Sequence, residues 1–114
     1  MSWFNAERFC QEHNGILASP TTEAEQKFFE KKYGIGDFWM GLTDSKEEGK
    51  FKLLSGDVLG DYKNWKKGRP QSGSNSADCV SMSSADKWKW VDGSCYDRKD
   101  AYCKIDCKLE IFCF

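Results

Sequence analysis

Apolar residues recur at helical spacing twice near the start of the chain. Trp3, Ala6, Phe9 and Cys10 share one face of a segment that Ser2 caps and Asn14-Gly15 ends, which predicts a helix over residues 2–13. Ile16-Leu17-Ala18 reads as a short apolar link. A second helix is predicted from about Thr22, with Glu25 three residues on as a capping box, Ala24, Phe28 and Phe29 as its apolar stripe, and Gly34 as its stop. The pattern then shortens. Phe38-Trp39-Met40-Gly41-Leu42 is an unbroken apolar run between turn residues, the mark of a buried strand. Further strands are predicted at residues 51–54, 79–82, 88–91 and 101–105. Residues 57–76 show little periodicity and hold Gly60, Gly68, Pro70 and Gly73; a loop of that length in a compact domain is usually functional.

Two helices followed by several short strands around a long loop is an α+β order. Short strands must share an apolar layer, so Trp39, Leu42, Trp65, Val80 and Trp90 are expected to be buried together. On a strand, Trp88 and Trp90 would face the same side; that leaves Trp88 either beside the core or as an exposed aromatic contact.

The chain has 114 residues, enough for one domain, and its 8 Phe, 5 Trp and 4 Tyr supply the bulk of one core. Lys plus Arg is 17 and Asp plus Glu is 18, for a net charge of −1, which removes the electrostatic case for bulk nucleic-acid binding. No apolar run approaches the roughly 20 residues of a spanning helix. Met1-Ser2-Trp3-Phe4 lacks the layout of a signal peptide. No Ser or Cys nucleophile has a candidate base beyond the lone His13, and neither a glycine-rich phosphate loop nor a glycosylation sequon is present, so no enzyme is expected. His13 ends the first helix, where an imidazole meets terminal carbonyls.

The six cysteines are Cys10, Cys79, Cys95, Cys103, Cys107 and Cys113. Structural zinc favours paired ligands two to four residues apart, twice over, and only Cys103 and Cys107 are so spaced. A disulfide framework is the expectation, and with it a secreted or extracellular location; spacing alone leaves the pairing open.

Five segments in order resemble the C-type lectin-like domain family, from about Ser2 to Cys103. Trp39-Met40-Gly41-Leu42 resembles its W-I-G-L strand, and Asn64-Trp65-Lys66-Lys67-Gly68-Arg69-Pro70 its W-x-x-G-E-P loop segment. Asp78-Cys79-Val80 resembles the D-C-V after that loop, Trp90-Val91-Asp92-Gly93-Ser94-Cys95 resembles W-N-D-x-x-C, and Ala101-Tyr102-Cys103 the closing strand. The resemblance implies a C-type lectin-like fold: two helices flanking short, mostly antiparallel sheets, with a long loop and disulfides. It implies the pairs Cys10–Cys103 and Cys79–Cys95, which leaves Cys107–Cys113. It places the domain over residues 1–105, apparently without the family's first N-terminal strand, and makes residues 106–114 an extension. That tail alternates as a strand does and would either cover the sheet edge left open or form an interface, leaving room for a dimer.

Sugar-binding members work through calcium, whose shell takes six to eight oxygens. The family draws these from E-P-N or Q-P-D, from a carboxylate before the post-loop cysteine, and from W-N-D. Here the corresponding segments are Arg69-Pro70-Gln71, Ala77-Asp78 and Trp90-Val91-Asp92. Gln71 and Asp92 keep oxygens, while Arg69 brings a cation that repels calcium and is expected to pair with Asp92. At the family's second calcium position stand Asp44, Glu48, Ser72, Ala77 and Asp78. Asp44, Glu48, Asp78 and Asp92 are thus the residual metal candidates, but no cofactor is expected beyond weak Ca²⁺. Asp44 and Glu48 read as residues of a solvated turn; Asp78 is expected to cap loop N–H groups.

Lys63, Lys66, Lys67, Arg69, Lys87 and Lys89 gather near the loop, interleaved with Tyr62, Trp65, Trp88 and Trp90. Arg69, Gln71, Asp92, Lys66, Lys67 and Trp88 are therefore the candidate ligand face. The function implied is extracellular recognition of a glycan, anionic for example, or of a protein, without the usual calcium chemistry. Two alternatives stay open: a structural, matrix-associated or disulfide-linked subunit with no sugar binding, and a weak calcium-dependent lectin.

Overall fold

The computed structural model describes residues 1–47, 49–54, 59–70 and 79–105. Cys107 and Cys113, and with them the expected third disulfide and the tail, lie outside these residues.

Helix α1 spans Trp3–Glu12; Ser2 caps it, its hydroxyl accepting from the Asn5 N–H at 3.2 Å. The imidazole of His13 lies 2.8 Å from the Phe9 carbonyl, closing the helix as expected. Helix α2 spans Glu23–Tyr33, with Thr22 accepting from the Glu25 N–H and Gly34 at φ 66° as its stop. The capping carboxylate of Glu25 reaches one residue further back than expected, to the N–H and hydroxyl of Thr21. The buried faces are narrower than the apolar spacing predicted. Trp3, Ala6 and Cys10 of α1 are buried but Phe9 is 42% exposed; in α2 the buried residues are Gln26 and Phe29, while Phe28 is 68% exposed.

Strand β2, Asp37–Thr43, is the centre of the main sheet. It pairs antiparallel with β4, Cys79–Ser83, on one side. On the other it pairs antiparallel with β3, Lys52–Leu53, near its end and parallel with β6, Asp100–Ala101, near its start. Strand β5, Trp90–Gly93, extends the sheet beyond β4. Ile16-Leu17, read as a link, belongs to a strand, β1 (Gly15–Leu17), which pairs with β7, Cys103–Ile105. The expected final strand is thus two strands serving two sheets.

The single shared layer expected for Trp39, Leu42, Trp65, Val80 and Trp90 is instead divided between two. Phe38, Met40 and Leu42 face one side of β2 and pack with Phe29, Val80, Met82, Trp88 and Trp90, against which Trp65 is partly buried. Trp39 faces the other side and packs with Trp3, Ala6, Cys10, Leu17 and Cys79. A strand covered on both faces reads as a continuous apolar run, and its side chains still alternate. Gly41 is required on the α1 side: its N–H donates to the Ala18 carbonyl at 2.9 Å, and a Cβ there would overlap the Leu17 carbonyl.

Trp88 was expected on a strand. It lies outside β5, after a 3-10 helix Ser84–Asp86, and both Lys87 and Trp88 take positive φ. The turn swings Trp88 inward, 6% exposed, with its ring 5.1 Å from that of Phe29. Disulfides join Cys10 to Cys103 and Cys79 to Cys95, the pairs the resemblance implied.

Candidate ligand-binding site

The described part of the long loop owes its position to β5. Trp65 and Trp90 form a parallel bridge: the Trp90 N–H donates to the Asn64 carbonyl at 2.8 Å, and the Lys66 N–H to the Trp90 carbonyl at 2.9 Å. The two indoles meet edge to face at 5.6 Å. Beyond this pin the chain turns, the Arg69 N–H donating to the Lys66 carbonyl at 2.9 Å and Gly68 taking φ 83°, and the Arg69–Pro70 peptide is cis.

This turn carries Arg69 to Asp92. One guanidinium nitrogen, Nη1, donates to the Asp92 carbonyl at 2.8 Å and lies 3.2 Å from its Oδ1. The Asp92 side chain has no solvent exposure and that of Arg69 has 28%. The ion pair expected from the sequence therefore forms, with the cation bound to both a side-chain and a main-chain oxygen of one residue.

The other candidates separate. Lys66 pairs with Asp86 at 2.7 Å, and Lys67 is exposed. Lys89 donates to the Asn64 side-chain oxygen at 3.0 Å, fastening the same pin from outside. Trp88, offered as a ligand contact, is corrected to a core residue by its burial. Gln71, Glu48 and Asp78 lie outside the described residues. Asp44 is not the solvated turn residue expected: it is 2% exposed, and its Oδ2 accepts from the Gly49 N–H at 2.9 Å. A tight turn has N–H groups in need of an acceptor, and a buried carboxylate supplies one. Among the described residues no group of three or more His, Cys, Asp or Glu comes together to hold a metal.

Two supporting residues escaped the sequence reading. Asn64 donates to the Trp88 carbonyl at 2.9 Å. Gln26, 2% exposed, accepts from the Trp90 indole at 3.0 Å and donates to the Trp88 carbonyl at 3.3 Å, tying α2 to the base of the loop. The available signal was a glutamine three residues before Phe29 on a helix face that otherwise turns inward. Burial raises the pKa of the Tyr62 phenol, whose ring lies 5.8 Å from that of Trp90, above its ordinary value, and the carboxylates of Glu30 and Glu23 push it the same way.

A disulfide-bridged α+β domain whose long loop is pinned to a central sheet, with its polar site at the loop base, is a C-type lectin-like recognition domain. The chain belongs to the lectin C-type domain family, which matches residues 1–105. The low affinity immunoglobulin epsilon Fc receptor of Mus musculus is 34% identical over 100 residues, covering 88% of this chain and 29% of the receptor. The hepatic lectin of Gallus gallus is 29% identical over 108 residues, 94% of this chain and 47% of that lectin. The chain thus spans less than half the length of these relatives. The carbohydrate-recognition domain of the mouse scavenger receptor C-type lectin superposes with a TM-score of 0.79 at 32% identity, covering 90% of this chain and 78% of that one. A calcium-independent type II antifreeze protein superposes at 0.81 with 28% identity, covering 90% and 77%. The family is one of recognition modules and is generally non-enzymatic.

Proposed function

We propose that this domain is an extracellular recognition module that takes a glycan or protein ligand without the calcium chemistry of the sugar-binding members. The observation that carries this reading is the Arg69 guanidinium on the oxygens of Asp92. The donor set there does not suit the ion. Calcium needs six to eight oxygens, whereas Arg69 and Val91 stand where the family places oxygen donors, and the carboxylate that remains already holds a cation. Calcium would have to displace a guanidinium that is itself three-quarters shielded from water, in surroundings where the two charges repel. The similarity to a calcium-independent antifreeze protein accords with a domain of this fold that stands without the ion. The cysteine pairs support an oxidising, extracellular setting.

The test is chromatography of the purified domain on mannose and galactose resins, loaded in CaCl₂ and eluted with EDTA. The expected outcome is equal retention with and without the ion on both resins. Retention that EDTA abolishes would overturn the reading and return the domain to the calcium-dependent lectins.

A further inference from the structure

β3 and the long loop border an open cavity of about 730 Å³, whose lining reaches Pro70, the residue after Arg69. That volume is within the range of small-molecule sites, roughly 300–1,000 Å³. Phe51, Leu59, Trp65 and Pro70 supply its apolar lining. Phe51 and Trp65 meet edge to face at 5.1 Å. Its charge is one-sided. Lys50, Lys52 and Lys63 line it against Glu47 alone, and Glu47 is engaged with Lys50 at 3.0 Å. Among the described residues Lys52 and Lys63 have no acidic partner. The indoles of Trp3, Trp39 and Trp90 each donate a hydrogen bond, whereas those of Trp65 and the buried Trp88 donate none among the described residues. Two aromatic residues and two lysines without an acidic partner among the described residues therefore line one space.

We infer that this cavity binds a sulfated saccharide unit, with the sugar's C–H face against Trp65 and Phe51 and the sulfate between Lys52 and Lys63. The apolar wall selects a ring over a bare ion, and the lysines select an anionic ring over a neutral one. The inference rests on the reading of the domain as a recognition module. It does not depend on the Arg69–Asp92 pair, because neither Lys52 nor Lys63 takes part in that pair.

The experiment is a ¹H–¹⁵N NMR titration of the whole chain in EDTA, followed at the Trp65 indole N–H, with glucose 6-sulfate and glucose as probes. Expected are a saturable shift with glucose 6-sulfate, little response to glucose, and weakening as salt rises. Lys52→Gln/Lys63→Gln should weaken binding at least about tenfold, as loss of two charge-assisted contacts implies. Lys27→Gln/Lys31→Gln, which removes the same charge from exposed positions on α2, should leave binding unchanged. The spectrum of each variant reports its fold directly. Absence of a saturable shift, or wild-type affinity in Lys52→Gln/Lys63→Gln, would overturn the inference. So would sodium sulfate matching the sugar sulfate in affinity, or tyrosine O-sulfate binding more tightly than it. Failure of the calcium-free reading has a separate signature: shifts centred on Asp92 that appear only when CaCl₂ replaces EDTA.

Discussion

Replacing Trp39 with alanine is expected to destabilise the domain by about 3–5 kcal/mol, the cost of removing a fully buried Trp from a packed core. Trp39 has no exposed surface and fills the layer between β2 and α1 among Trp3, Ala6, Cys10 and Leu17. Its indole also donates to the Met1 carbonyl at 3.0 Å, and the Lys99 ammonium lies 5.5 Å from its ring centre. Alanine would remove the packing, the hydrogen bond and the cation contact together. The layer has little means of collapsing into the space: Cys10 is bridged to Cys103, and the Gly41 backbone already touches that of Leu17–Ala18. Trp39→Phe should recover part of the loss. Equilibrium denaturant unfolding measures both, provided the slope with denaturant stays constant. A loss under about 1 kcal/mol for Trp39→Ala would contradict the two-sided burial of β2.

The second large effect concerns the bridges. Cys10–Cys103 spans a sequence separation of 93 and Cys79–Cys95 one of 16. In the loop-closure account, the long bridge removes about 4–5 kcal/mol of denatured-state entropy and the short one about 3. Cys10→Ala/Cys103→Ala should therefore be the more damaging double substitution, aggravated by the complete burial of Cys10. Cys79→Ala/Cys95→Ala should cost less but loosen the end of β5, and with it Asp92. Unfolding midpoints of the two variants under one set of conditions give the ranking. The reverse order would mean that the bridges act mainly through native contacts rather than through the unfolded chain.

These effects trace the parts of the fold that local chemistry writes into the sequence. Both helices were legible because Ser2 and Thr22 cap them and Asn14 and Gly34 stop them, each within hydrogen-bond reach of its own turn. Which helical residues face inward was less so: Phe9 and Phe28 continue the apolar spacing, yet both are exposed among the described residues. In β2 the period itself was hidden. Five consecutive buried residues carry no alternation, and so Trp39 was assigned to the layer of Leu42 rather than to that of α1. At Lys87-Trp88 the opposite occurred: an apparent alternation is broken by two residues of positive φ. β1 is three residues long and gains its identity only from β7, some 90 positions away, as its register with Cys103 and Ile105 shows.

The site divides in the same way. The Arg69–Asp92 pair was legible because a cation stands where a calcium ligand is expected, close to a carboxylate that needs a partner. The Gln26 and Asn64 contacts were not, because each joins segments whose approach is decided by the whole fold. The cavity beside Trp65 was hidden for a related reason: its lysines come from β3 and the loop, and nothing in their sequence positions brings them together.

The most direct test of the central claim is the melting temperature in 2 mM CaCl₂ against EDTA. A ligand that binds only the folded state adds RT ln(1 + [L]/Kd), so a site with Kd near 0.1 mM would contribute about 1.8 kcal/mol at that concentration. For a domain of this size that is a rise of several degrees. With Arg69 on the oxygens of Asp92, the two melting temperatures are predicted to agree within about one degree. A calcium-dependent rise of several degrees that disappears in Asp92→Asn would contradict the account.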